Sequence, residues 1–208
     1  MPKSLFIFSI FYGGMCCIAG VLGAKQVAIG PLAVEAGIFP FLLLVITSSA
    51  VAELYGAERA NALVRFGFIP LIASILLIQL VLALPTDAGM YPPAIEAFPI
   101  ILGQSGRMMF AGLISYGLSQ TLNVYVFARL ARPEGGLLWL RAGVASVLSQ
   151  IIDTVLFISI SFYGEREIAG LMAGQMTAKI VLSVLLVPLL VTFMVKLGRK
   201  LDAAPAQH

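Results

Sequence analysis

Six apolar runs, at about residues 4–24, 38–55, 62–84, 107–130, 138–162 and 168–197, dominate this chain of 208 residues. Each supplies the roughly 20 residues that a helix needs to cross a bilayer core of about 30 Å. Little is left between them for a separate soluble domain. Charged residues make up 11% of the chain and hydrophobic ones 60%, whereas soluble domains carry about 25% charged residues. The predicted fold is all-α: a polytopic, multi-pass membrane protein of six transmembrane helices forming a single domain over residues 1–208.

Basic residues orient the bundle. Lys3, Arg59, Arg65, Arg129, Arg132, Arg141, Lys196, Arg199 and Lys200 fall on one side of a six-helix arrangement, and only Lys25 and Arg166 flank the other. The positive-inside rule then predicts that both termini are cytoplasmic. The connection at 85–99, LPTDAGMYPPAIEAF, lacks Lys and Arg and reads as an external loop. The first run lacks a convincing small-x-small cleavage site and is read as a retained helix rather than a signal peptide. Tyr55-Gly56 reads as a helix stop, and Pro70 and Pro188 as bends within their helices. Trp139 beside Arg141 reads as an interfacial anchor.

Two opposite charges interrupt the apolar pattern. Asp153 lies within LWLRAGVASVLSQIIDTVLFISISFYG, and Lys179 within IAGLMAGQMTAKIVLSVLLVPLLVTFMV. A charge at bilayer depth costs roughly 2.5 kcal/mol or much more, so it persists when paired and usually when useful. Asp153 lies about 18 Å beyond Arg141, and Lys179 about 18 Å beyond Glu167, at ~1.5 Å per helical residue. With Arg141 and Glu167 at opposite rims, the two charges differ in depth by only about 6 Å, which a lysine side chain spans. An acid on the fifth helix is thus expected to face an amine on the sixth, either in a wet pocket or as a buried pair that holds two helices together.

Polar residues gather around this pair. Ser146, Ser149, Gln150, Asp153 and Phe157 share one helical face, as do Tyr116, Ser119, Gln120, Asn123 and Phe127. The segments LSQTLNVYVF (118–127) and LSQIIDTVLF (148–157) repeat Leu, Ser, Gln and Phe at an offset of 30 and match Asn123 with Asp153. Inverted repeats around a midplane site are a common transporter plan. Interhelical hydrogen bonding alone would also account for the serines. Glu53 stands inside the second apolar run and is a candidate for facing a cavity. Arg107, near the external start of the fourth helix, is read either as a site residue or as a snorkelling side chain. Gly170, Gly174 and Ala178 form a small-residue ladder suited to packing within the bundle or to a homodimer.

No nucleophile–base pair, phosphate-binding loop or metal cluster is visible. Cys16 and Cys17 are adjacent, and His208 is the last residue. The reading is therefore a non-enzymatic protein with no catalytic residues, metal or cofactor. Its partners are the lipid bilayer and a small molecule, with no nucleic acid.

The order FPFLLLVITSSAVAELYGAERA, Arg107 leading into GLISYGLSQTLNVYVFARL, LWLRAGVASVLSQIIDTVLFISISFYG, then Lys179 and Pro188 resembles the queuosine precursor transporter family. This family, also called VUT or YhhQ-like, imports 7-deazaguanines into bacteria. The similarity spans about residues 38–195. Its most specific parts are E-x-Y-G at Glu53, W-x-R at Trp139 and Arg141, S-Q-x-x-D-T at Asp153, and Lys179. This chain has Asn123 where family members commonly carry an acid, and Ser48-Ser49 where an Asn-Asp-like pair is usual. The resemblance implies an importer in the cell inner membrane for 7-cyano-7-deazaguanine or 7-aminomethyl-7-deazaguanine, serving tRNA modification. The substrate's ring N–H and exocyclic amine would meet Glu53 or Asp153, and its carbonyl would meet Gln120, Asn123, Gln150 or Lys179. Tyr116, Phe127 or Phe157 would stack on the ring. Alternatives from the residues are the membrane subunit of an energised vitamin importer and a non-transporting intramembrane scaffold.

Overall fold

The computed structural model describes residues 1–30, 32–104, 106–131, 137–164 and 167–203. Arg132, Arg166 and His208, which entered the sequence reading, lie outside the described residues.

The order of elements is α1 (Lys3–Gly23), β1 (Gln26–Ile29), β2 (Leu32–Glu35), α2 (Ile38–Ala83), α3 (Pro92–Leu102), α4 (Gly106–Arg129), α5 (Leu138–Phe162) and α6 (Ala169–Ala203). The apolar runs are all helical, as expected. Four helices, α1, α2, α5 and α6, are long and apolar enough to cross a membrane, and α3 with α4 makes a fifth if that bent pair is one span.

Burial explains why lipid is the natural solvent. On α1, Ser4, Phe8, Tyr12 and Cys16 point inward at every fourth position, while Phe6, Ile7, Ile10 and Ile18 point out. Elsewhere Phe66, Ile69, Leu76, Leu189 and Phe193 are exposed, whereas Ser48, Gln120, Asn123 and Gln150 are fully buried. This inside-out distribution would be costly in water. In hydrocarbon it shields polar groups that lipid cannot satisfy.

α2 has 46 residues, about 69 Å at ~1.5 Å per residue, more than twice the bilayer core. It is divided at Gly56, whose φ of 85° and ψ of 164° lie in a region essentially reserved for glycine. The limbs 38–55 and 57–83 correspond to the second and third apolar runs. The sequence had suggested a helix stop here; the chain passes from one limb to the next across this single residue.

Two connections hold more structure than the sequence suggested. The α1–α2 link forms an antiparallel hairpin, with Gln26 opposite Glu35 and Val27 opposite Val34, and β2 packs against α6. Gly30, with φ 59°, lies at its turn. The connection read as an external loop holds most of α3, begun by Pro92 and Pro93, where proline's missing N–H costs little.

Packing produces two apolar clusters. One joins α2, α5 and α6 through Val45, Ile46, Ala145, Val187 and Val191; the other joins α1, α2 and α4 through Phe8, Tyr12, Leu44, Val64 and Val124. α4 packs against both α5 and α2, and α5 against α6. Of the small-residue ladder, Ala178 enters the core, but a methyl added at Gly170 or Gly174 would meet nothing within 4 Å. Those two glycines therefore do not serve close helix packing within the chain.

Candidate functional site

Asp153 and Lys179 meet inside the bundle. Lys179 Nζ donates to Asp153 Oδ2 at 2.9 Å, and both side chains are about nine-tenths buried. Opposite charges in a low-dielectric interior attract strongly, but the attraction must offset a desolvation cost of several kcal/mol per ion. The Phe41 ring lies 5.9 Å from the ammonium and adds its negative face.

The pair borders a cavity of about 180 Å³. Phe41, Tyr116, Phe157, Gln104, Asp153 and Lys179 are among its lining residues. Its walls come from the second half of α1, Glu35 at the end of β2, the two ends of α2, the end of α3, the start of α4, the end of α5 and the start of α6. These ends lie together in an alternating bundle. A mostly apolar cavity with a few convergent polar groups is the usual form of a small-molecule site.

Beyond the pair, one turn deeper, is a buried polar layer. Asn123 Nδ2 donates to Ser48 Oγ at 3.1 Å and to Ser49 Oγ at 3.0 Å, while Ser48 Oγ donates to Gln120 Oε1 at 3.3 Å. The serine pair on α2 and the amides on α4 therefore engage each other. Gln120 Nε2, Asn123 Oδ1, both amide atoms of Gln150, and the hydroxyls of Ser146, Thr154 and Ser183 have no partner among the described residues. An unmet buried polar group costs about 1–3 kcal/mol, so this layer is expensive as plain packing.

Of the other sequence candidates, Glu53 and Arg107 lie away from the cavity lining. Glu53 is held by Arg141, with Oε2 and Nη1 3.0 Å apart, and does not line the cavity. Arg141 also donates from Nε to the Phe127 carbonyl at 3.2 Å and sits 4.3 Å over the Phe127 ring. Arg107 is exposed and donates to the carbonyls of Ile160 and Tyr163, at the negative end of α5. Tyr116 borders the cavity, but its hydroxyl donates to the Val64 carbonyl at 2.9 Å and its ring meets Phe68 edge-on at 4.9 Å. Phe157 is half-buried, with Phe162 edge-on at 6.4 Å.

Two features escaped the sequence reading. Arg141 was taken as a rim marker, although a carboxylate in an apolar run calls for a cation at similar depth. The second feature joins three distant segments: Asp202 accepts from the Ser4 amide at 2.9 Å and the Ser4 hydroxyl at 3.0 Å, and Tyr55 hydrogen-bonds both Ser4 and Asp202. No local pattern signals it. This cluster and the Glu53–Arg141 pair occupy the end of the bundle opposite the cavity.

Residues 35–193 match a family model described as "Putative vitamin uptake transporter". A protein of Bacillus subtilis (strain 168) named "Probable queuosine precursor transporter" is 29% identical over 158 residues, covering 74% of this chain and 68% of that protein. No solved structure is significantly similar.

Proposed function

This chain belongs to the vitamin uptake transporter family, and from that premise we propose that it imports a queuosine precursor, 7-cyano-7-deazaguanine or 7-aminomethyl-7-deazaguanine, across the cell inner membrane. The observation that carries the reading is the Asp153–Lys179 pair bordering a cavity inside a lipid-facing bundle. A pair kept only for packing would have no reason to face a void.

The two limbs of α2, with α1, α4, α5 and α6, make six spans in this proposal. Lys3, Arg59, Arg65, Arg129, Arg141, Lys196, Arg199 and Lys200 are then cytoplasmic, as are both termini. The cavity opens outward. Glu53–Arg141 and Ser4–Tyr55–Asp202 close the cytoplasmic end, and import requires these contacts to release as the outer end shuts.

Within the cavity, Asp153 supplies acceptor oxygens to the amine-bearing edge of the heterocycle, and Lys179 holds that carboxylate in place. Phe157, Tyr116 and Phe41 offer aromatic surface to its faces. Gln120 and Asn123 act from the polar layer beneath. Glu53 acts through closure and Arg107 by anchoring the end of α5, rather than by touching substrate. The protein does this as a carrier and not as an enzyme. Homodimerisation through the open Gly170–Gly174 face is part of the proposal, with cross-linking at that face as its check.

The deciding experiment is uptake of a radiolabelled 7-deazaguanine, with queuosine in tRNA as readout, in cells unable to make the precursor. Expression of this chain is expected to restore both signals. No restoration at confirmed membrane expression would overturn the reading.

A further inference from the structure

We propose, resting on the importer reading above, that Gln150 is the specificity-determining residue that recognises the lactam of the substrate, the ring N–H and carbonyl lying side by side. Gln150 is fully buried, and neither its Nε2 nor its Oε1 has a partner among the described residues. A glutamine amide has two donors and an acceptor with two lone pairs, so this site is built with its entire hydrogen-bonding capacity unspent.

Comparison with the other candidates singles it out. The Asp153 carboxylate is engaged by Lys179, and Glu53 by Arg141. Gln120 accepts from Ser48, and Asn123 donates to Ser48 and Ser49. Among the sequence candidates, only Gln150 retains both an unengaged donor and an unengaged acceptor on one planar group. A carboxylate accepts only and an ammonium donates only. A primary carboxamide does both side by side, which matches a lactam: Nε2–H to the ring carbonyl, and ring N–H to Oε1. The exocyclic amine next to that N–H is left for Asp153.

Position agrees with this role. Gln150 precedes Asp153 by three residues on the same face of α5, and Ser183 follows Lys179 by four on α6, so both lie about one turn beyond the ion pair. The Ser146 and Ser183 hydroxyls are also buried and have no partner among the described residues. Gln150 does not line the cavity, so it meets substrate only after the first capture at Asp153. Discrimination therefore falls on the rate of passage. A substrate lacking the carbonyl also lacks the ring N–H, so the amide would keep at most one of its two hydrogen bonds at that step.

The test compares uptake of labelled 7-cyano-7-deazaguanine with an analogue whose ring carbonyl is replaced by C–H, in wild type, Gln150→Met and Gln150→Asn. Wild type is expected to carry the analogue about tenfold more slowly or worse, and Gln150→Met to carry both within about threefold of each other. Gln150→Asn keeps a carboxamide and is expected to keep a preference for the lactam form. Because the amide has no partner among the described residues, the thermal midpoint of Gln150→Met in detergent is expected to stay level or rise. The proposal is overturned by an unchanged ratio in Gln150→Met, by equal transport of both compounds in wild type, or by a midpoint loss beyond about 5 °C, which would mark the amide as structural. If wild type carries neither compound, the importer reading itself falls and this inference falls with it.

Discussion

Arg141 Nη1 lies 3.0 Å from Glu53 Oε2 and ties the start of α5 to the end of the first limb of α2, at the far end of the bundle from the cavity. The Arg141 side chain is only 10% exposed and also rests on Phe127, so little water is at hand to replace the carboxylate if it is lost. Glu53→Gln and Arg141→Gln are each expected to cost about 1–3 kcal/mol, with the double variant costing clearly less than their sum. Thermal unfolding in detergent measures this, and strictly additive losses would show that the two residues do not act as a pair.

For Asp153 and Lys179 the outcome separates stability from transport. Asp153→Asn leaves a buried ammonium without its counter-ion, at an expected cost of about 3–5 kcal/mol. Asp153→Asn with Lys179→Met removes both charges and is expected to recover much of that stability while uptake stays at least about tenfold down, because the proposed substrate acceptor is gone. Full uptake by the double variant would reduce the pair to a packing device.

Orientation of the cavity is open to chemical labelling. Cys17 is half-buried and borders the cavity. A membrane-impermeant maleimide applied to intact cells is expected to modify Cys17, substrate is expected to protect it, and Cys17→Ala is expected to lose that signal. Labelling confined to inverted vesicles would reverse the proposed direction of opening.

Gly56 permits the break in α2. Its φ of 85° and ψ of 164° strain any residue with a Cβ, although a methyl there would meet no atom within 4 Å. Gly56→Ala is therefore expected to destabilise by about 1–3 kcal/mol through backbone strain alone. A neutral substitution, measured by thermal unfolding, would show that the limbs do not depend on this conformation.

The apolar runs, the break at Tyr55-Gly56 and the meeting of Asp153 with Lys179 were all legible in the sequence. Each follows from a local rule: bilayer thickness sets run length, glycine alone tolerates certain dihedral angles, and an isolated charge in hydrocarbon demands a partner at its own depth. The inward direction of the Gln120, Asn123 and Gln150 faces followed from the same exclusion of polar groups from lipid. Tertiary structure alone decided which polar groups were already engaged. Only the fold placed Arg141 beside Glu53, and Ser48 and Ser49 beside the Asn123 amide nitrogen. The hairpin against α6 and the junction of Ser4, Tyr55 and Asp202 were equally hidden. Such contacts join residues as many as 198 positions apart. Whether a buried donor is met depends on the rotation and register of neighbouring helices, which periodicity within one helix does not encode.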